Sequence, residues 1–168
     1  MTLIHTWLVE ADASYRRNLK TTLELEERIA VERVFPSCIE FFDRLETESP
    51  PDVVLMDLEL PLVNVVKTIR KLGRVAPNVA VVVLTVSDDR AKVLAALKAG
   101  AAGCLLKESD GPEISQGIQQ VFLGGAALSP NVARTVVEEL HQPLSAEEVN
   151  LSQREVEVLE KLADGLAV

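Results

Sequence analysis

The run VAVVVLT at residues 79–85 decides the fold class of this chain. Residues 79–84 are apolar at every position, so a strand formed by them is covered on both faces, as in a parallel sheet packed between helices. The run is also far shorter than the roughly 18 residues that a membrane span requires. Thr85 then places a hydroxyl at the carboxyl end of this strand, the edge of such a sheet at which ligands bind.

Similar apolar runs recur along the chain and alternate with segments of helical periodicity. Apolar residues recur at helical spacing between the runs, as at Tyr15, Leu19 and Leu23. Alternating strands and helices with short joins predict an α/β fold with a doubly wound parallel sheet. The five predicted strands are Leu3–Val9, Ala30–Phe35, Val53–Met56, Val79–Leu84 and Gly103–Leu106.

Short polar side chains predict where the helices begin. Such side chains accept hydrogen bonds from the free N–H groups of a first helical turn. The candidate N-caps, in chain order, are Asp12 or Ser14, Ser37, Ser87 or Asp88, and Ser109 or Asp110.

Composition and charge exclude several classes of protein. The 168 residues suffice for one domain and a remainder, at roughly 150 residues per domain. A formal net charge of -9 has the wrong sign for a nucleic-acid-binding surface, and 4% aromatic residues leave little for base stacking. We expect no membrane-spanning helix, because the apolar runs are too short, and no signal peptide, because the N-terminal stretch lacks a basic flank. Two cysteines are too few for a disulfide framework. We expect a cytoplasmic protein with free thiols and no membrane partner.

The alternation of predicted strands and helices ends after Gly124. The chain therefore divides into one domain and two shorter segments. Residues 1–124 form the predicted α/β domain, and residues 125–149 form a linker with a helix that begins at Pro130. Residues 150–168 predict a further helix, because Ser152 and Glu155 have the spacing of a capping box.

Acidic side chains cluster at the carboxyl ends of the predicted strands. Asp57 ends a wholly apolar strand, where a carboxylate beside other acids is costly unless it binds a cation or reacts. Mg²⁺ prefers carboxylate and backbone oxygens, and the candidate ligands are Glu10, Asp12, Asp57 and the backbone carbonyl of Glu59.

A cation and a hydroxyl end two further strands. Phosphoryl transfer to Asp57 needs donors for the equatorial oxygens of the transferred group. The hydroxyl of Thr85 and the ammonium of Lys107 supply such donors. We expect Trp7 and Tyr15, in contrast, to serve packing.

Several motifs in order resemble one known family, the receiver domains of two-component response regulators of the NarL/FixJ type, which carry a LuxR-type helix-turn-helix. The fold of that family is flavodoxin-like, a (βα)5 doubly wound sheet. The motifs that carry the resemblance are VVLMDLELP around Asp57, VVVLT ending at Thr85, AGAAGCLLK ending at Lys107, GGAALSPNVA in the linker and LSQREVEVLEKLADG at residues 151–165.

The resemblance implies a role for each of three residues and a set of partners. Asp57 resembles the phosphoacceptor, Thr85 the switch hydroxyl and Lys107 the cation that contacts the phosphoryl group. A histidine kinase is the implied donor, Mg²⁺ the implied cofactor and a homodimer the implied assembly, with control of transcription as the output. Residues 150–168 resemble the opening of a helix-turn-helix without its recognition helix, so DNA binding is expected only of a longer form in which that domain is intact.

The chain departs from the family pattern at positions close to this site. The family has two adjacent acids after the first strand, whereas Glu10 is followed by Ala11. Val86 stands where a small residue is usual, and Cys104 stands at the position of an aromatic switch residue. These departures favour an alternative, an atypical receiver that acts as a phosphorylation-independent dimerisation or partner-binding domain.

An enzymatic reading is weaker. A phosphohydrolase with Asp57 as nucleophile needs a second Asp two residues later as general acid, and Glu59 stands there. We also expect no cap domain to exclude water. We therefore expect no enzymatic turnover.

Overall fold

The strands and helices alternate as the sequence predicts. The computed structural model describes residues 2–87, 89–142, 156 and 158–160. In this part of the chain the strands are β1 (Ile4–Val9), β2 (Ile29–Phe35), β3 (Val53–Asp57), β4 (Ala80–Thr85), β5 (Gly103–Leu106) and β6 (Ala127–Leu128). The helices are α1 (Ala13–Leu23), α2 (Cys38–Leu45), α3 (Val65–Val75), α4 (Arg90–Lys98), α5 (Gly111–Phe122) and α6 (Pro130–Leu140).

The strands form one parallel sheet in the order β2-β1-β3-β4-β5-β6. The chain winds outward in one direction from β1 to β2 and then returns to continue from β3 on the other side. This order confirms the predicted doubly wound, flavodoxin-like sheet. It also places the carboxyl ends of β1 and β3 at a topological switch point, where such sheets bind ligands.

Two apolar clusters, one on each face, hold the helices against the sheet. Successive residues of a strand lie on opposite faces of the sheet. Val83 therefore belongs to the cluster under α2, α3 and α4, and Leu84 to the cluster under α1 and α5. This two-sided burial is the reason that β4 is apolar at every position before Thr85. Trp7 packs in the first cluster against Phe35 and Phe41, as expected of a packing residue.

A sixth strand lies in the segment that was predicted to be linker. β6 pairs in parallel with β5 through Gly103 with Ala127 and Cys104 with Leu128. Two residues are too few to show an alternating pattern, so the sequence carried no signal for this strand. α6 begins at Pro130, as predicted.

Three of the four predicted helix starts are confirmed. Asp12, Ser37 and Asp110 cap α1, α2 and α5. The prediction for α4 was wrong, because Asp89 is its cap and accepts from the N–H groups of its first turn. Ser87 instead accepts a hydrogen bond from the Asp89 N–H, and residue 88 lies outside the described residues.

The chain divides into two compact units, residues 1–135 and residues 136–168. The first unit contains the whole sheet, α1 to α5 and the first turns of α6, where Val132 is fully buried in the apolar cluster of α2 to α4. The second unit contains the end of α6, on which Leu140 is 77% exposed. The predicted capping box at Ser152 and Glu155 lies outside the described residues.

Within the described ranges, no helix combines the length and the apolar character that a membrane crossing requires.

Candidate functional site

Four side chains meet where neighbouring parallel strands end. Glu10 follows β1, Asp57 is the last residue of β3, Thr85 is the last residue of β4 and Lys107 follows β5. These strands are adjacent in the sheet, so their carboxyl ends open on one pocket. Glu10, Asp57 and Thr85 are buried, and Lys107 is nearly so.

Lys107 joins the two buried carboxylates. Its Nζ lies 2.6 Å from Oε2 of Glu10 and 3.3 Å from Oδ2 of Asp57. Burial by itself lowers the pKa of this ammonium, but the contact with Glu10 and the charge of Asp57 outweigh burial, so the net effect is a raised pKa. The pocket therefore holds a permanent cation between its two acids.

Glu10 is the most deeply buried of the acids, at 1% exposure. Its Oε1 accepts a hydrogen bond of 2.8 Å from the Asp12 N–H. Its Oε2 has no aligned hydrogen bond with any residue that the structure describes, so its compensation comes from the ion pair with Lys107. A buried carboxylate oxygen with one electrostatic partner has an open lone pair for a further cation.

Asp57 is held by its own loop. Its Oδ1 accepts a hydrogen bond of 2.8 Å from the Glu59 N–H, which directs the carboxylate back over the end of β3. The Glu59 side chain extends to α4, where its Oε1 lies 3.2 Å from Nζ of Lys92. The loop after Asp57 is thereby tied to the helix that follows β4.

Thr85 is engaged with the loop that it begins. Its hydroxyl donates to the Ser87 carbonyl at 2.9 Å and accepts from the Ser87 N–H at 3.2 Å. Its own carbonyl accepts a hydrogen bond of 2.7 Å from the Lys107 N–H, which fixes the start of the Lys107 side chain. A phosphoryl group on Asp57 would have to compete with Ser87 for this hydroxyl.

Asp12 serves a helix rather than the buried pocket. Its side chain is exposed, and its Oδ1 accepts from the N–H groups of Ser14 and Tyr15 at 2.8 Å each. The hydrogen bond from Tyr15 is the main reason that the pKa of this carboxyl is lowered. The N-cap prediction for Asp12 is confirmed, and its alternative role as a metal ligand remains a prediction that this geometry does not favour.

Two residues of α1 also reach the pocket, although the sequence did not predict them there. Tyr15 donates from its hydroxyl to the Lys107 carbonyl at 3.3 Å, and its ring centre lies 5.0 Å from Nζ of Lys107. Burial, reinforced by the charges of Glu10 and Asp57, raises the pKa of Tyr15 to about 12. Arg16 donates to the Glu10 carbonyl at 2.6 Å. The sequence signal for these two contacts was position: Tyr15 and Arg16 follow the Asp12 cap by three and four residues. They therefore lie on the turn of α1 nearest the strand ends.

The oxygen donors of the pocket fit a hard divalent cation that is held by few protein ligands. Glu10 and Asp57 place one carboxylate oxygen each within contact of the same Lys107 nitrogen, and Oε2 of Glu10 lacks an aligned hydrogen bond within the described ranges. Mg²⁺ is commonly held by one or two carboxylates together with water or phosphate oxygens. No group of three His, Cys, Asp or Glu side chains in the described ranges is arranged for a metal, in keeping with Ala11.

The other departures from the family pattern lie at the rim and in the core. Val86 is 66% exposed, so it is not packed into the pocket. Cys104 is fully buried in β5, and burial raises the pKa of its thiol to about 12. Cys38 and Cys104 are both free thiols, as predicted.

Comparison with known proteins identifies relatives over most of the chain. Residues 7–119 match the response regulator receiver domain family. The chain is 35% identical over 132 residues to the transcriptional regulatory protein DegU of Brevibacillus brevis, a match that covers 68% of this chain and 56% of DegU. It is 31% identical over 161 residues to the transcriptional regulatory protein LnrK of Bacillus subtilis, with 90% of this chain and 73% of LnrK covered. The chain thus spans little more than half of DegU.

A solved structure shares both fold and sequence with this chain. It is a two-component response regulator of the LuxR family from Aurantimonas, with a TM-score of 0.77 and 28% identity. The superposition covers 84% of this chain and 100% of that protein.

Proposed function

The chain belongs to the response regulator receiver domain family, and from that membership we propose that it accepts a phosphoryl group on Asp57 from a histidine kinase and so controls transcription. The observation that carries this proposal is the position of Asp57. This buried carboxylate ends β3 beside an ammonium, and its Oδ2 lies 3.3 Å from Nζ of Lys107.

The reaction that this pocket supports is transfer of a phosphoryl group between two nucleophiles. An oxygen of the Asp57 carboxylate attacks the phosphorus of a phosphohistidine, a new P–O bond forms, and the P–N bond breaks. The histidine ring of the kinase leaves with the electron pair of that bond and takes up a proton. The product is an acyl phosphate on Asp57.

The chain's own residues position and stabilise this group. Lys107 stands beside the attacking carboxylate and offers its ammonium to the equatorial oxygens. Glu10, Asp57 and the backbone carbonyl of Glu59 would hold Mg²⁺, which when bound neutralises the charge of the phosphoryl oxygens. Lys107 also forms an ion pair with Glu10, so Mg²⁺ and the Lys107 ammonium compete for the Glu10 carboxylate.

Thr85 offers a route from the phosphoryl group to the surface. Recruitment of its hydroxyl as a donor to the phosphoryl group breaks the hydrogen bond that it donates to the Ser87 carbonyl. Oγ of Ser87 accepts the N–H of Asp89, the cap of α4, so the release moves the start of that helix. A shift at α4 biases a surface between two states, which can alter the formation of a homodimer.

The output proposed for the whole protein is transcription control by a LuxR-type helix-turn-helix. DegU and LnrK are both described as transcriptional regulatory proteins. We assign residues 1–124 to the receiver, residues 125–149 to a linker and residues 150–168 to the start of that DNA-binding domain. The net charge of -9 opposes DNA binding by the receiver surface, so we assign DNA binding to the helix-turn-helix.

A second candidate function is a receiver that acts without phosphorylation, as a dimerisation or partner-binding domain. The observation that favours it is the ion pair between Lys107 and Glu10, with Ala11 in place of a second acid. An ammonium that already neutralises one of the two carboxylates lowers the pocket's need for Mg²⁺. The two functions differ in whether Asp57 gains a phosphoryl group.

The test is mass spectrometry of the intact protein after incubation with acetyl phosphate, with and without Mg²⁺. Asp57→Asn removes the acceptor with little change in shape, and Asp43→Asn is the matched control, because Asp43 is an exposed acid on α2. The proposal predicts one added phosphoryl group that requires Mg²⁺, is lost in D57N and is kept in D43N. An unmodified protein that also fails to bind Mg²⁺ in a titration supports the second function.

A further inference from the structure

We propose that Tyr15 is a positioning residue that holds the Lys107 ammonium between Glu10 and Asp57. The role in phosphoryl transfer rests on the proposed function of Asp57, whereas the positioning of Lys107 does not. Tyr15 lies on α1 and is half-buried, and it is not one of the residues that contact Asp57 by hydrogen bond or ion pair.

Tyr15 contacts both the backbone and the side-chain ammonium of Lys107. Its hydroxyl donates to the Lys107 carbonyl at 3.3 Å, and its ring centre lies 5.0 Å from Nζ. An ammonium within about 6 Å of an aromatic ring centre is attracted to the ring by its quadrupole. A tyrosine hydroxyl is protonated, and therefore a donor, at physiological pH, and burial raises the pKa of Tyr15 further.

The two residues belong to a closed ring of contacts around the pocket. The Asp12 N–H donates to Oε1 of Glu10, and Oδ1 of Asp12 accepts from the Tyr15 N–H. Tyr15 contacts Lys107, whose Nζ returns to Oε2 of Glu10. Each contact thus fixes the next, so the α1 cap, the aromatic ring and the ammonium are set as one unit.

Lys107 needs such support because its side chain is long and flexible. Lysine loses up to about 2 kcal/mol of rotamer entropy when one geometry is fixed. The Lys107 side chain is 14% exposed, and the Tyr15 ring centre lies 5.0 Å from its Nζ. Without the ring, Nζ can leave the two carboxylates for water, and the cation is then out of place when the phosphoryl group arrives.

Tyr15→Leu and Tyr15→Phe separate the contributions of the ring and of the hydroxyl. Y15L keeps an apolar side chain and removes the ring together with the hydroxyl, and Y15F keeps the ring and removes the hydroxyl alone. Phe42→Leu is the matched control, because Nζ of Lys71 lies 4.0 Å from the centre of the Phe42 ring, away from this pocket. Circular dichroism and urea unfolding establish that each variant folds.

Two measurements test the proposal. Nuclear magnetic resonance of the Lys107 side chain reports the upfield ring-current shift of its ε protons and the order of its Nζ group. Phosphorylation by acetyl phosphate with Mg²⁺ gives the rate at Asp57. We expect Y15L to abolish the upfield shift, to loosen Nζ and to slow phosphorylation about fivefold, which corresponds to about 1 kcal/mol. Y15F retains the shift and most of the rate, and F42L changes neither.

The outcomes distinguish this proposal from that of phosphorylation. An equally ordered Lys107 Nζ in Y15L and in the unsubstituted protein overturns the positioning role. A loosened Nζ with an unchanged phosphorylation rate overturns its importance for transfer. A loosened Nζ in a protein that never accepts a phosphoryl group supports the positioning of Lys107 and overturns only the proposed function.

Discussion

Nζ of Lys107 lies 2.6 Å from Oε2 of Glu10, and this carboxylate is almost completely buried. The pair differs from the ion pair of Lys92 with Glu59, in which the two side chains are 54% and 33% exposed. Water screens the second pair but hardly reaches the first, so loss of the Lys107 charge affects stability far more.

Replacement of Lys107 by Met should therefore destabilise the protein strongly. K107M leaves Glu10 and Asp57 as buried, uncompensated carboxylates, and we expect a loss of about 3 kcal/mol in the free energy of unfolding at neutral pH. Urea unfolding at neutral pH measures this loss. K92M, with an expected loss of about 0.5 kcal/mol, is the control, and equal losses in the two variants contradict the prediction.

The titration of Tyr15 should reveal its buried surroundings directly. Tyr15 is the single tyrosine of the chain, so the ultraviolet absorbance of tyrosinate reports this residue alone. Its pKa is raised from 10.0 to about 12, so we expect the hydroxyl to remain mostly protonated at about pH 11 in the folded protein. Because the folded pKa is the higher one, the associated stability is complete below about pH 10 and is lost as the pH rises toward 12. Titration near pH 10 in the native protein, as in urea, would disprove this.

Restoration of the second acid should strengthen Mg²⁺ binding. Ala11→Asp adds a carboxylate beside Glu10, the arrangement that the family has after its first strand, and we expect at least about a tenfold gain in affinity. Calorimetric titration of A11D and of the unsubstituted protein measures it. Ala13→Asp, at an exposed position in the first turn of α1, adds the same charge nearby and should leave the affinity within about twofold. Equal gains in both variants would assign the effect to net charge.

Both thiols should resist modification while the protein is folded. Burial raises the pKa of Cys104 to about 12 and raises that of Cys38, and the thiolate is the reactive form. A thiol reagent at about pH 8 should label neither cysteine in the native protein and both in urea. Rapid labelling of native Cys38, the less completely buried of the two, would contradict the burial assigned here.

The sheet was predictable because its strands carry their own signal. Val79 to Leu84 is apolar on both faces, and the polar residues that end such strands must meet at one edge of a parallel sheet. Glu10 and Asp57 meet Lys107 there as expected, and each carboxylate lies within contact distance of Nζ of Lys107. The sequence pattern sufficed for the fold and for the pocket residues that the strand ends supply.

The contacts that complete the pocket were not predictable in the same way. Tyr15 has the helical spacing of a packing residue, and its approach to Lys107 across 92 positions depends on how α1 docks on the sheet. Asp89 caps α4 in place of the predicted Ser87. The Ser87 N–H donates to the Thr85 hydroxyl, and its Oγ accepts from the Asp89 N–H. β6 leaves no periodic signal, because its two residues are too few to show an alternating pattern.

The pairing of β6 with β5 leads to the last prediction, which concerns Gly103. A Cβ at this position would stand 2.5 Å from the Ala127 carbonyl oxygen and 3.0 Å from its Cβ, so Gly103→Ala forces the two strands apart. Overpacking of this kind costs about 1–3 kcal/mol. The displacement also strains the hydrogen bond from the Leu106 N–H to Oγ of Ser129, next to Lys107. Gly73→Ala is the matched control: apart from its chain neighbours and its own helix backbone, no described atom lies within 4 Å of its Cβ position, and the exposed helical site should gain up to about 1 kcal/mol. Thermal unfolding should therefore shift in opposite directions in G103A and G73A, and faster amide exchange at Leu106 should accompany the loss in G103A. A G103A protein as stable as the unsubstituted one would show that β6 is free to move and does not constrain the end of β5.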